Sequence, residues 1–402
     1  MKFLQKILGR MVEALFTLSG AITSIAIVLI TLFLFNEGLG LFRSPVIEEG
    51  YALYRHADNR VQKLSPHDIK RIVDGEITNW SQLGGDDQDI MLFRIDDLFS
   101  IYSEEELGEN YALLPDKIGE VIAANPGIIA FLPQKYAPAD SGVVRAMDTG
   151  DISLSDFFGR TEWMPTASPA PLYGILPLIL GTLLVSLGAI ALALPLGLGV
   201  AIYLSELASG RIRKILKPAI ELLAGIPSVV YGFWGLVVLV PWVQQTFGLS
   251  VGETAFTGSL ILAIMALPTI ITVAQDAMNN TPRSMREASL ALGATRWQTV
   301  YKVVIPYAKS GISAAVVLGI GRAIGETMAV LMVTGNAAVM PTSFFESVRT
   351  IPATIVAELG EVPAGSSHYQ ALFLLGCILF VITMIISITA EVISKKQPKA
   401  SV

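Results

Sequence analysis

The stretch GIGRAIGETM, residues 319–328, sets Arg322 and Glu326 four residues apart in a run that is otherwise apolar. On a helix that spacing puts both charges on one face, where pairing offsets part of the cost of keeping them away from water. If the helix enters near Ser310, Arg322 lies about 12 residues, or about 18 Å, along it, beyond the middle of a core about 30 Å thick. A charge at that depth costs on the order of 2.5–3.5 kcal/mol. One reading is a lock between helices, since Gly319, Gly321 and Gly325 also suit this face to close packing. In the other, Arg322 offers its planar fork of donors to a tetrahedral oxyanion, with Glu326 as its resting partner. Thr327 and Thr334 then add hydroxyl donors, and competition from Glu326 keeps the anion releasable. Ser228 is a second polar point, following Gly225-Ile226-Pro227 in another apolar run. Proline there kinks the helix and frees backbone groups that line a polar path or satisfy one another. Pro195 and Pro268 read as ordinary kinks.

A third group of residues lies in REASLALGATRWQTVYKVVIP, 286–306. Charged and apolar positions alternate at helical spacing up to Gly293 and again up to Pro306, predicting two short amphipathic helices that meet at a glycine. Such a pair either lies on lipid headgroups or docks a partner.

These residues sit in a chain of 402 residues, 52% hydrophobic and 15% charged, with a mean hydropathy of +0.60. That composition belongs to membrane proteins. Six apolar runs have about the length, roughly 20 residues or more, needed to cross a bilayer: 14–36, 174–204, 219–243, 257–275, 311–334 and 370–393. The first follows Lys2, Lys6 and Arg10, exceeds a signal-peptide core and lacks a cleavage pattern after it, so it reads as a retained anchor. Lys and Arg concentrate at both termini and after the second and fourth runs (Arg211, Arg213, Lys214, Lys217; Arg283, Arg286, Arg296, Lys302, Lys309). The positive-inside rule then puts both termini, the tail 396–402 and the 276–310 loop in the cytoplasm. Residues 37–171 hold 23 acids and 11 bases, a balance of −12 that leaves +6 for the remainder, given 34 acids and 28 bases in all. The chain is thus a basic membrane body, 1–36 and 172–395, carrying an acidic extracytoplasmic insertion. The single Cys377 allows no internal disulfide. No phosphate-loop motif occurs, and there is no Gly-Lys dipeptide at all, so nucleotide hydrolysis is expected on another protein.

The 286–306 stretch resembles the coupling loop of ABC importer permeases: Glu287, Ala288, Ser289, Gly293, nine residues, then Val303, Ile305 and Pro306, where the family shows Glu-Ala-Ala, Gly and Ile-x-Leu-Pro. The resemblance implies that this loop docks an ATPase subunit, with Glu287 and Gly293 central to coupling. GRAIGETMAVLMVTGN, LPLILGTLLVSLGAIALALPLGLGVAIYLSE and LAGIPSVVYGFWGL resemble phosphate importer permeases of the PstC type over about 172–395. An all-α polytopic membrane protein with six transmembrane helices and a type I importer core is therefore expected. It carries no catalytic residue, cofactor or metal. Its implied partners are a sister permease in a heterodimer, an ATPase dimer using ATP and Mg, an extracytoplasmic phosphate-binding protein and inner-membrane lipid, with no nucleic acid. A permease for phosphonate, sulfate or molybdate, a transporter driven by an ion gradient, and a membrane-anchored sensor are the alternatives.

Residues 37–171 read as a small α/β domain. Ser65 and Pro66 open a helix, a turn leads to a strand near 89–95, and NPGIIAFLP (125–133) is a turn into a buried strand. These stretches resemble soluble phosphate-binding proteins, in which a strand ending in Arg is followed by an anion-gripping Ser-Gly-Thr. Here Arg94 is followed by Ile95, Asp96, Asp97, Leu98 and Phe99. The hydroxyls are missing and two carboxylates repel an anion, so the domain is expected not to hold phosphate. Docking of the true binding protein, shielding of the outer mouth and a purely structural role stay open.

Overall fold

The computed structural model describes residues 2–47, 50–138 and 142–395; the expected tail 396–402 lies outside them. The chain divides into two compact units, a helical one (Met1–Gly38 with Leu176–Val402) and an α/β one (Leu39–Ile175).

The chain opens with one long helix, α1 (Lys2–Gly40). Most of α1 is exposed, and near its end Phe33 meets Phe373 edge to face at 5.6 Å. Gly38 allows the closest approach, since a Cβ there would come within 2.9 Å of the Leu374 backbone.

In the α/β unit, β1 (Tyr51–His56), α2 (Pro66–Val73), β2 (Met91–Arg94), α3 (Ile95–Ile101), α4 (Leu114–Ala124), β3 (Ile128–Pro133) and β4 (Val144–Ala146) follow in turn. The sheet order is β2-β3-β1-β4, with β2 parallel to β3 and β1 antiparallel to both its neighbours. Ser65 caps α2 through the Asp68 amide while Asp68 returns a bond to Ser65, and Pro66 fills a first-turn position that needs no donor. One sheet face packs Tyr54, Phe93, Ala130 and Leu132 against Leu98, Leu107, Ile118 and Ile122. Trp80, 1% exposed, ties its indole N–H to the Gly127 carbonyl at 2.8 Å. Then α5 (Leu154–Gly159) leads to a two-stranded ladder of β5 (Trp163–Met164) and β6 (Leu172–Tyr173).

The helical unit resumes with α6 (Leu176–Ile202), α7 (Gly210–Ala224), α8 (Ser228–Trp234), α9 (Val240–Phe247) and α10 (Ala255–Asn279). It continues through α11 (Arg283–Ala291), α12 (Arg296–Thr299), α13 (Ile305–Gly325), α14 (Met328–Val333), α15 (Ile351–Glu358) and α16 (Ser367–Lys395). Among the described residues, six helices are long and apolar enough to cross a membrane: Met11–Arg43, Leu176–Leu207, Ser228–Phe247, Ala255–Asn279, Arg296–Gly325 and Ser367–Thr389. Small residues bring α6, α10 and α13 together. Gly197 and Gly319 both face Ile270, and the Ser259 hydroxyl donates to the Val185 carbonyl at 3.0 Å.

Two expected spans need correction. The 219–243 run is not one kinked helix: α7 ends at Ala224, Gly225-Ile226-Pro227 interrupts it, and α8 begins afresh at Ser228. Pro227 lacks the N–H that would continue α7 and biases Ile226 away from helix. Nor is 311–334 continuous. Its helix starts at Arg296, ends at Gly325 and gives way to extended Glu326 (φ −72°, ψ 131°) before α14. Pro195 and Pro268 do lie inside continuous helices.

Candidate functional site

Among the described residues, three π-turns shape the ends of these helices: Tyr203–Leu207, Gly235–Leu239 and Val300–Val304. Two of them stand just ahead of a proline, Pro241 and Pro306. A turn widened by one residue accommodates a ring that has no N–H and crowds the preceding carbonyl. Pro306 therefore does not end the second amphipathic helix, as the sequence predicts. That helix passes through it into α13.

The segment between α10 and α13 is an exposed knob on a fixed base. None of the α11 residues is buried, and Leu292 at its tip is 89% exposed, with Trp297 and Tyr301 also exposed. Glu287 and Ala288 point away from the unit, and Glu287 has no bonding partner among the described residues. Gly293 takes φ +85° with nothing within 4 Å of where its Cβ would be. Its role is thus the left-handed turn itself, since an L side chain is strained there. Thr295 caps α12 in a reciprocal box with Gln298, and the Ser289 and Thr299 hydroxyls bond at 3.0 Å, fastening α11 to α12. At the base, Arg286 donates to the Glu206 carboxylate and to the Met278 carbonyl, both at 2.8 Å. Glu206 also accepts from Ser205 at 2.8 Å, while Arg213 donates to the Ser205 carbonyl at 2.9 Å. Sequence reasoning placed Glu287, Ala288, Ser289 and Gly293 here but missed Glu206. The available signal was a lone acid in a basic loop: Glu206 is the only carboxylate between Leu204 and Pro218.

The second constellation lies at the two helix breaks. Arg322 occupies the last turn of α13, half-buried, and Glu326 and Thr327 occupy the break itself. The expected Arg322–Glu326 pair does not form. Extended backbone at Glu326 takes its side chain off the helix face, and the Arg322 Nε is buried with no acceptor. Gly321 and Gly325 were expected to pack closely, yet nothing lies within 4 Å of either Cβ position; only Gly319 makes such a contact, against Ile270. Thr334 is fully buried and spends its hydroxyl on the Val330 carbonyl at 3.0 Å, so it offers no donor to an anion. Thr327 is half-buried, its hydroxyl 3.3 Å from the Gly325 carbonyl.

Across from this break, Ser228 is the half-buried first residue of α8. Tyr231, one turn on, spans the other break by donating to the Leu223 carbonyl at 2.8 Å. Gly232 lets α8 lie directly on α14, since a Cβ there would meet Met332 Sδ at 2.8 Å and Ala329 Cα at 3.0 Å. The two interruptions therefore belong to one packed layer. Irregular backbone at membrane depth persists where it is enclosed by protein or lines a polar cavity, and Arg322 brings charge to this one. In the α/β unit, Arg94 is exposed and its amide donates to Asp97 at 2.7 Å, so the start of α3 is capped by the chain's own carboxylate.

Among the described residues, six membrane-length helices, two of them flanked by breaks, and a buttressed helix–glycine–helix knob define a multi-pass membrane protein. The family of binding-protein-dependent transport system inner membrane components matches residues 193–397, and the chain belongs to it. It is 40% identical over 277 residues to the probable ABC transporter permease YqgH of Bacillus subtilis, covering 69% of this chain and 87% of that protein. It is 41% identical over 249 residues to the phosphate transport system permease protein PstC of Mesorhizobium japonicum, covering 57% and 75%. Among solved structures, the inward-facing MetNI methionine transporter aligns with a TM-score of 0.45 at 19% identity, over 56% of this chain and 98% of that one.

Proposed function

We propose that this chain is the PstC-type permease subunit of an ATP-driven phosphate importer, forming half of the path for inorganic phosphate. The observation that carries this reading is its kinship, at about two residues in five, with permeases named for phosphate transport. In this reading both termini and the 276–310 loop face the cytoplasm, and the α/β unit lies outside. The exposed tip around Glu287, Ala288 and Gly293 seats in an ATPase subunit, one of two copies that bind ATP and Mg. A sister permease completes the membrane path, and a soluble phosphate-binding protein delivers the anion. The chain itself performs no covalent chemistry.

Arg322 is the charge offered to phosphate in transit. Because Glu326 does not hold it, the guanidinium is free to exchange partners, with Glu326, Thr327 and Ser228 as polar neighbours on the path. The test is ATP-dependent uptake of labelled phosphate into vesicles carrying the whole assembly, with Arg322→Gln beside the parent. Uptake should fall at least tenfold while assembly and basal ATP hydrolysis persist. Undiminished uptake in Arg322→Gln removes Arg322 from the path, and uptake that survives ATP depletion with an ion gradient maintained removes the ATPase from the reading.

A further inference from the structure

The α/β unit contains a buried arginine that no carboxylate neutralises. Arg55, on β1, is 5% exposed. Its Nη1 donates to the carbonyls of His56 at 3.2 Å, Ala57 at 3.4 Å and Asn59 at 2.5 Å, so the turn after β1 wraps one edge of the guanidinium. Its Nε is buried without an acceptor. So is the Nδ2 of Asn59, a residue only 6% exposed whose Oδ1 already accepts from the Val61 amide at 2.9 Å. The residue in register with Arg55 on β4 is Arg145, so two cations project side by side from the same sheet face. Neither arginine has an ion-pair partner among the described residues.

Each of these facts runs against a general rule. Buried charges in proteins are paired, buried donors find acceptors, and like charges directly opposite each other on a sheet repel. Burial first, and then Arg145, pull the Arg55 guanidinium below its ordinary pKa. The other charges nearby do not cure the imbalance. The Asp58 carboxylate, 3.5 Å from His56 Nδ1, is 84% exposed to water, and Arg60 is taken up with Asp86 at 3.4 Å. In a segment with a net charge of −12 by sequence, this edge is a local excess of cations and unmet N–H groups. One addition meets all of these needs: a group with several acceptor oxygens and negative charge.

We propose that Arg55, Arg145 and Asn59 form the seat of a small oxyanion of the phosphate or sulfate class, on the β1–β4 side of the sheet. Planar guanidinium forks match such an anion, and the exposed Arg145 acts as the outer jaw that closes over it. The seat is separated from the Arg94 strand end by β3, which lies between β2 and β1. It also does not depend on which solute the membrane helices carry. An anion-blind Arg94 and an anion-binding Arg55 are therefore compatible in one unit.

The test uses the full chain in lipid nanodiscs without the ATPase, in gluconate buffer at constant ionic strength, read by hydrogen exchange and mass spectrometry. Inorganic phosphate or sulfate should slow exchange over 51–61 and 143–147. Arg145→Gln should raise the half-saturating concentration at least tenfold, while Arg322→Gln leaves it unchanged, which separates this seat from the membrane path. Arg145→Glu, which builds a carboxylate opposite Arg55, should slow exchange over 51–61 with no anion added. The proposal is overturned if exchange over these segments ignores both anions at 10 mM-scale concentrations (~10 mM, where even weak charge-assisted binding registers), or if the protection survives Arg145→Gln intact.

Discussion

Gly293→Ala isolates what the turn at the tip of the knob contributes. With φ at +85° and no atom within 4 Å of the new methyl, the substitution meets no steric obstacle, only the backbone penalty of a left-handed L-residue. That penalty is about 1–2 kcal/mol. Since α11 buries none of its residues, the helical core does not register it, and the cost falls on how often the knob is correctly turned. At 1.4 kcal/mol per decade, the loss in affinity for the ATPase subunit is roughly 5- to 30-fold. Titrating the ATPase against permease in nanodiscs measures it. Gly293→Asn, which tolerates this conformation better, should lose less. Thermal unfolding of the permease alone should stay within about 2 °C of the parent in both. Equal affinity for parent, Ala and Asn variants would refute the argument. So would a large drop in melting temperature for Gly293→Ala, because the turn would then support the fold rather than the docking surface.

Arg286→Met leaves the Glu206 carboxylate, only 11% exposed, with Ser205 alone. Loss of one partner of a buried pair costs about 3–5 kcal/mol, and the 23% exposure of Arg286 brings the expectation to about 2–3. Chemical unfolding should show that loss, and adding Glu206→Gln should recover part of it. Gly181→Ala drives a methyl to 2.4 Å from the Arg349 carbonyl, whereas nothing lies within 4 Å at Gly321. The first should destabilise the chain by about 2–3 kcal/mol, and Gly321→Ala by less than about 0.5, as judged by melting in detergent. Reversal of that order would contradict the packing described here.

Features governed by local chemistry were legible in the sequence. The Ser65 cap with Pro66, the buried strand after Asn125-Pro126-Gly127 and the Gly293 turn each follow from a few adjacent residues, and the structure has them. Membrane-length helices were legible because apolar length is a composition signal. The breaks at 225–227 and 325–327 were not, because Gly225-Ile226-Pro227 reads equally as a kink within one helix, and Gly325-Glu326 reads equally as close packing with an i,i+4 ion pair. Arg322 and Glu326 seemed paired because i,i+4 spacing presumes a continuous helix, and that presumption fails one residue too soon. Arg286 and Glu206 stand 80 residues apart, and the Arg55–Arg145 adjacency depends on strand register. Neither has a local signature. The substrate-side roles of Arg322 and Ser228 were inferred from residue type; the structure sets each beside a different helix break.

The helix from Arg296 to Gly325, which passes through the π-turn at Val300–Val304, carries a mechanical corollary. Its first turn holds Thr299, bonded to Ser289 of the knob, and its last turn holds Arg322. Those residues are 23 positions apart (322 − 299), about 35 Å at 1.5 Å per residue. A rod of that length is a lever, and a tilt of about 5° at the knob swings the far end by about 3 Å, the size of one hydrogen bond. In the proposed importer, movement imposed on the knob by a partner would reach Arg322 along the backbone of this one helix, without a relay of side chains.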